Sequence, residues 1–324
     1  MNRREFVGLM GGAAAWPLVA WAQQIDKVWR IGILETVSET LNGANLDAFR
    51  HGLQEYGYVE GKNLHFEYRS ADGQNERFST LAEELVRLNV DLILTRGTPA
   101  SIAAKRATEK IPIVMAALGE PLMLVGGLLR PGANLTGLSS FVTELHAKRL
   151  EILKQAIPSV VGIATLLNMS NPVTPPQWDE IEKAAELLGI AAKLFDVRSA
   201  DDLVHAMALA STQRMDAVLV GTGALIQDNA SFIVELSLRH GLPTMHVSKE
   251  YVTSGGMMSY GPSYPDLYRR AAGYVDRIIK GANAGSLPIE QPNKFELAIN
   301  LRTARAIGIT IPPSLLARAD EVIE

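Results

Sequence analysis

The side chains of this sequence best placed for chemistry are hydroxyls and amides, not acids, thiols or clustered imidazoles. Thr98 and Ser101 follow the apolar run VDLILT, in the stretch Arg96-Gly97-Thr98-Pro99-Ala100-Ser101. Threonine is a good helix N-cap, and proline fits the first helical position. The free backbone N–H groups of such a helix start, with the Thr98 and Ser101 hydroxyls beside them, suit a carboxylate. A threonine that merely caps its own helix is the plainer alternative, so a binding role needs several such loops to meet in one cleft. Other polar residues stand in the same relation to an apolar run. They are Thr36 and Ser38, Ser139 and Ser140, Asn168, Ser170 and Asn171, Thr222 with Gln227 and Asp228, and Tyr260. Nearly all are uncharged hydrogen-bonding groups, which fits a small polar ligand held without covalent chemistry. Each alone also reads as a loop residue satisfying local backbone. Their common placement is what points to a site.

Signatures of catalysis are missing where they would be expected. GLSSF lacks the closing glycine of a nucleophile elbow. No phosphate loop of the G-x-x-x-x-G-K-[ST] type occurs, and GTGALIQ lacks the third glycine of a dinucleotide turn. The six histidines show no ligand spacing, and there is no cysteine, so thiolate metal sites, disulfides and cysteine nucleophiles are excluded. The acid pairs Glu83-Glu84 and Asp201-Asp202 fall on a predicted helix surface and a predicted helix start. The only nucleophile–base pairing available is Ser139 or Ser140 with His146, which lies on the following predicted helix. The expectation is a protein that is not an enzyme and holds no cofactor or metal. Formal net charge is −4 without a block of like charges, which leaves no electrostatic footprint for nucleic acid or anionic lipid.

The elements that must position these residues follow from periodicity. VWRIGILETV is β-rich, and Leu46, Phe49, Leu53 and Tyr56 then recur on one helical face. NLHFEYRSA alternates like a strand, Phe78, Leu81, Leu85 and Leu88 mark the next helix, and VDLILT reads as a strand buried on both faces. The helix TPASIAAKRATEK, the strand IPIVMAAL and the strand NLTGLSS complete a first block. A second block repeats the pattern from a helix over about 144–156 through VVGIATLLN, AAKLFDV, DAVLVGTG and PTMHV, with predicted helices between them. Strands and helices alternating at this length predict parallel βαβ units, hence two doubly wound α/β lobes. The remainder holds the strand GMMSYG, a long helix with Leu267, Ala271, Tyr274 and Ile278 on one face, and an extended crossing near EQPNKFELAIN. Too small for a third domain, it must complete the other two, so the chain crosses between lobes more than once. The expected lobes are 27–140 with about 250–290, and about 141–249 with 291–324. Hinge crossings are expected near Phe141, near Ser248 to Val252 and near Asn293 to Ala298.

The first residues, MNRREFVGLMGGAAAWPLVAWAQQ, carry paired Arg3 and Arg4, an uncharged run from Val7 to Ala20, and Ala20-Trp21-Ala22 as a small-x-small cleavage site. These are the parts of an export signal, and the apolar run is shorter than the roughly 20 residues a membrane span needs. The paired arginines followed by Phe6 resemble a bacterial twin-arginine signal, used by proteins that cross already folded. Residues 1–22 are therefore expected to be removed, leaving a periplasmic chain in a Gram-negative type bacterium. Loss of Arg3, Arg4 and Glu5 would take the net charge from −4 to −5.

Several long stretches carry a resemblance. AFRHGLQEYGYVEGKNLHFEYRSADG, LAEELVRLNVDLILTRGTPASIAAKRATEKIPIVMAALGEP, LLRPGANLTGLSS, GGMMSYGPSYPDLYRRAAGYVDRIIKGA and the tail from LPIEQPNKFELAIN onward resemble the ABC-transporter substrate-binding family related to tryptophan-type periplasmic binding proteins. The resemblance covers almost the whole chain after the signal. It implies a type I periplasmic binding fold, with two lobes joined by three crossings and closing on a ligand. It also implies a monomer that delivers a small amino-acid-like or carboxylate ligand to an inner-membrane permease driven by an ATPase, with the ligand carboxylate near Thr98 to Ser101. A ligand-sensing domain reporting to a membrane receptor is the alternative, since such lobes serve signalling as well as uptake.

Overall fold

Apolar runs buried on both faces become the central strands of two sheets in a computed structural model that describes residues 27–324. The expected export signal lies outside the described residues. The first lobe runs β1 (Trp29–Glu35), α1 (Gly43–Glu55), β2 (Leu64–Ser70), α2 (Phe78–Arg87), β3 (Leu92–Arg96), α3 (Thr98–Ala107), β4 (Ile113–Leu118) and β5 (Leu135–Ser139). Its five strands are all parallel, in the order β2-β1-β3-β4-β5. Every residue of β3 and β4 is buried, as expected for strands covered by helices on both faces.

The second lobe begins with α4 (His146–Ala156), β6 (Gly162–Leu167), α5 (Thr174–Leu187), β7 (Ala191–Asp196), α6 (Ala200–Thr212) and β8 (Ala217–Val220). It continues through α7 (Ala224–Asp228), α8 (Ala230–His240), β9 (Thr244–His246), α9 (Lys249–Thr253) and β10 (Met258–Pro262). The chain then returns to the first lobe for α10 (Tyr264–Ile279) before closing in the second with β11 (Phe295–Asn300), α11 (Leu301–Ala306), α12 (Pro313–Leu316) and β12 (Glu321–Ile323). The second sheet has seven strands in the order β12-β11-β10-β9-β8-β6-β7, with β11 antiparallel to β10. Both sheets are therefore doubly wound α/β layers, as the alternation predicts.

Each sheet separates two apolar cores. In the first lobe, Ile31, Ile33, Phe49 and Leu53 pack with Leu267, Tyr268, Ala271 and Val275 of α10 on one face, while Phe78, Leu85, Ile93 and Ala104 fill the other. Helices α1 and α10 approach so closely that a Cβ at Gly52 would lie 2.7 Å from the Arg269 carbonyl oxygen. In the second lobe, Leu153, Ile163, Ile181 and Met245 pack on one face of the sheet, and Leu166, Leu203, Val218 and Leu236 on the other.

Three passages of chain join the lobes, at 140–145, at 262–264 and at 291–294. The middle passage differs from the expectation of a crossing at Ser248 to Val252 and of a first-lobe segment starting near 250. Strand β10 hydrogen-bonds between β9 and β11, so the chain leaves the second lobe only after Pro262. Helix α9 packs on β9, β10 and β11 and stays with it. The run near FELAIN is likewise a buried strand of the second sheet. Phe141, in the first passage, has a left-handed backbone (φ 52°), uncommon for an aromatic residue. Arg149 of α4 ties the first passage to β10, the strand that leads into the second: its Nε donates to the Tyr260 carbonyl at 2.7 Å and its Nη1 to the Val142 carbonyl at 3.1 Å. The third is held by Arg270, which bonds Glu290, the Gln291 carbonyl and Asn293.

Candidate functional site

The carboxyl ends of both sheets face each other across a cavity. The first lobe supplies Thr36 after β1, Asn75, the run Arg96 to Pro99 between β3 and α3, and Ala117 and Gly119 at the end of β4. The second lobe supplies Asn171 and Val173 before α5, and Thr222, Gly223, Ala224 and Gln227 around α7. Ser140, Val142 and Tyr264, from the first two connecting passages, form the hinge wall. This is where open α/β sheets place ligands.

The start of α3 is the most directed feature of the wall. Gly97 adopts φ 81°, a left-handed backbone that lets the strand turn into the helix at once. Its carbonyl accepts the Ser101 N–H at 3.2 Å, so the N–H groups of Thr98 and Ala100 have no partner inside the helix, and Pro99 has none to offer. Thr98 is 2% exposed, yet its Oγ1 makes no hydrogen bond among the described residues. Thr98 does not cap its helix; the N-cap position belongs to Gly97. A Cβ at Gly119 would stand 3.5 Å from that hydroxyl and 3.9 Å from Val173 of the opposite lobe, so the absent side chain is what leaves the space open.

Arg96 brings charge to the same wall. It is 2% exposed, its guanidinium sits 4.4 Å from the Tyr264 ring centre, and its Nε is unpartnered. Burial works against its charge, but Glu250 of α9 at 2.8 Å, together with Glu35, holds its pKa well above the usual value. Glu35, fully buried, accepts from the Tyr268 hydroxyl and the Thr36 N–H, and burial pushes its carboxyl upward in spite of Arg96.

The lobes touch around the cavity. Thr36 Oγ1 donates to Gln227 Oε1 at 2.5 Å, Asn45 Nδ2 to Glu250 Oε1 at 2.5 Å, and Arg96 Nη2 to Glu250 Oε2. Each of these bonds spans the two lobes. The arrangement is a closed one, with the cavity between the jaws.

Of the residues singled out in the sequence, the structure brings Thr36, Thr98, Ser140, Asn171, Thr222 and Gln227 to this cavity. Ser101 points instead into its own lobe, bonding Thr95 Oγ1 at 2.7 Å and the Gly97 carbonyl at 3.0 Å. Ser139 and Asn168 serve their own turns, accepting from Phe141 N–H at 3.1 Å and Ser170 N–H at 3.0 Å. Ser38 accepts from the Leu41 N–H at 3.4 Å, outside the lining. Tyr260 stacks on Phe295, ring centres 6.3 Å apart, and packs against the core of the second lobe. His146, fully buried on α4, is not in the lining and lies beside Arg149 at 3.4 Å; burial and that charge hold it well below the usual histidine range. Among the described residues it makes no hydrogen bond to Ser139 or Ser140.

Arg96, Tyr264, Asn75 and Gly119 are lining residues that the sequence did not single out. A charge closing the otherwise apolar run LILTR, and Tyr264-Pro265 opening a helix directly after a crossing, were usable signals. Asn75 had none.

Comparison with known proteins gives the same picture. A family profile described as "ABC transporter substrate binding protein" matches residues 30–323. A tyrosine-binding protein of Clostridioides difficile is 24% identical over 279 residues, covering 84% of this chain and 80% of that protein. A conserved domain protein of Vibrio cholerae has a solved structure with a TM-score of 0.85 and 27% identity, over 91% of this chain and 100% of the other. A domain from Streptococcus pneumoniae in complex with L-Trp gives a TM-score of 0.84 and 26% identity, over 91% and 99% of the two chains. The fold, its interlobe cavity and a profile match running nearly end to end agree, and this chain belongs to the family of ABC transporter substrate binding proteins.

Proposed function

We propose that this protein captures a small carboxylate-bearing ligand, amino-acid-like or a simple organic acid, between its two lobes and delivers it to an inner-membrane permease with its ATPase. The observation that carries this reading is the start of α3. The Thr98 N–H, without a partner inside the helix, and the buried Thr98 hydroxyl, without a partner among the described residues, belong to the wall of a cavity that both lobes close, and the free Ala100 N–H lies in the same first turn. A carboxylate there accepts charge-assisted hydrogen bonds at the positive end of the helix dipole. The relatives point to the same ligand class, one being named for tyrosine and one solved with L-Trp. Ligand contacts that exist only when the lobes meet favour the closed form by the difference in affinity between the two forms. The permease then reads the closed surface.

The reading includes no catalysis: the protein binds, closes and releases. It also places the chain outside the inner membrane after export through residues 1–22. Among the described residues no helix is long and apolar enough to cross a membrane.

A thermal-shift screen of amino acids and small carboxylates on the purified protein tests the proposal. A hit should raise the melting temperature in the wild type and do so far less in Thr98→Val, which keeps the shape and removes the hydroxyl. A complete absence of hits, or a hit indifferent to Thr98, contradicts it.

A further inference from the structure

The cavity wall carries a guanidinium and no carboxylate: among the residues that line it, Arg96 is charged and none is Asp or Glu. Two acids beside it, Glu250 and Glu35, are already engaged. Glu250 spends one oxygen on Asn45 and the other on Arg96. Glu35 is fully buried, with its oxygens on the Tyr268 hydroxyl and the Thr36 N–H. Asp228 faces Gly73, where a Cβ on that glycine would come within 3.2 Å of its Oδ2, and it is not in the lining. A second guanidinium, Arg149, is fully buried beside Val142, and among the described residues its Nη2 has no partner and no carboxylate lies within 4.0 Å. Of the wall's unpartnered buried side-chain atoms, Arg96 Nε donates and Asn75 Oδ1 accepts, while the Thr98 hydroxyl can do either.

Resting on the reading above that a carboxylate sits on the start of α3, we propose that this cavity selects a net anion, a hydroxy acid in which a neutral O–H takes the place of an amino acid's ammonium. An ammonium closed into this space would lose its water without gaining a counter-charge, and would share the wall with Arg96. A hydroxyl of the same size needs only one neutral acceptor, which Asn75 Oδ1 offers. The carboxylate, for its part, adds a negative charge to a wall that has none and stands near Arg149, which has no carboxylate partner among the described residues.

Isothermal titration of the purified protein with matched pairs tests this: L-tryptophan against indole-3-lactate, L-tyrosine against 3-(4-hydroxyphenyl)lactate, and L-phenylalanine against 3-phenyllactate. The hydroxy acid should bind at least about tenfold tighter in the pair that binds best, because an unpaired buried ammonium is penalised heavily. Asn75→Asp, which sets a carboxylate in the wall, should narrow that ratio by about tenfold or reverse it. Equal or tighter binding of the amino acid by the wild type overturns the proposal and leaves a carboxylate site standing. A hydroxy-acid preference that Asn75→Asp leaves unchanged also overturns it. If neither member of any pair binds, the carboxylate reading falls with it.

Discussion

Arg96 closes β3 of the first lobe, and its Nη2 lies 2.8 Å from Oε2 of Glu250, on α9 of the second. Glu250 also accepts from Asn45 of the first lobe, so one carboxylate holds two first-lobe side chains. The pair acts as a latch on the closed form. Glu250→Gln should weaken it by about 1 kcal/mol, discounted because Glu250 is part-exposed, or about fivefold in the open–closed ratio. Small-angle X-ray scattering on ligand-free protein should show a larger radius of gyration for the variant at low salt. The wild type should approach the same value as salt is raised. Equal radii at low salt would remove the latch.

Gly119 leaves the space between Thr98 and Val173 open. Its backbone is not in the left-handed region, so a side chain is tolerated by the main chain there. Gly119→Val should fill the space and weaken ligand binding by about tenfold or more, as overpacking costs on the order of 1–3 kcal/mol. The melting temperature of the ligand-free variant should stay near that of the wild type. Wild-type affinity in the variant would place the ligand elsewhere.

Gly261 in β10 has a different constraint. A Cβ there would come within 1.8 Å of the Val247 carbonyl oxygen, a backbone atom that cannot move aside. Gly261→Ala should cost about 3 kcal/mol or more, lowering the melting temperature by roughly 6–12 °C or abolishing soluble protein. Gly43→Ala, where nothing stands within 4 Å, should be neutral or slightly stabilising. Thermal denaturation of the two variants checks the contrast.

Much of this architecture was legible because buried strands and amphipathic helices write themselves in apolar spacing. The helix from Leu267 through Ala271 and Tyr274 was visible, as were β3 and β4. Its neighbour β10 was harder to assign. GMMSYG reads as a strand, but its partners β9 and β11 are set by pairing that no local pattern records. The site divides in the same way. Thr98 follows from a strand, a glycine and a proline in sequence, whereas Ser101, three residues on, turns inward to Thr95 because of the helix's rotation. Arg96 escaped notice because its partner Glu250 is 154 residues away.

Acid should weaken the protein through its buried histidines. His246 is held down to about 3 by burial, and His146 well below the usual value of 6.5 by burial and Arg149. Both are neutral when folded and protonate readily when unfolded, so their stability is complete above pH 6.5 and is lost as pH falls below it. At about pH 5.5, one unit below the ordinary histidine value, His246 contributes a loss on the order of 1 kcal/mol, and His146 acts in the same direction. Glu35, whose carboxyl is raised by burial, acts with the opposite sign as pH falls, so wild type and variant must be compared directly. Between about pH 7.5 and 5.5, denaturant unfolding should show the wild type losing on the order of 1 kcal/mol more than His246→Gln. Equal losses would mean that His246 is protonated in the folded protein.

The measurement that bears most directly on the binding account is a crystal structure of the protein with the tightest carboxylate from the screen. The account predicts a ligand enclosed between the lobes, with its carboxylate within hydrogen-bond distance of Thr98 Oγ1 and the Ala100 N–H and its remainder touching Asn171, Thr222 or Val173 from the second lobe. A ligand that touches one lobe only, or sits in the outer hollow beside Leu41, Lys249 and Lys294 and leaves Thr98 Oγ1 unpartnered, would contradict it.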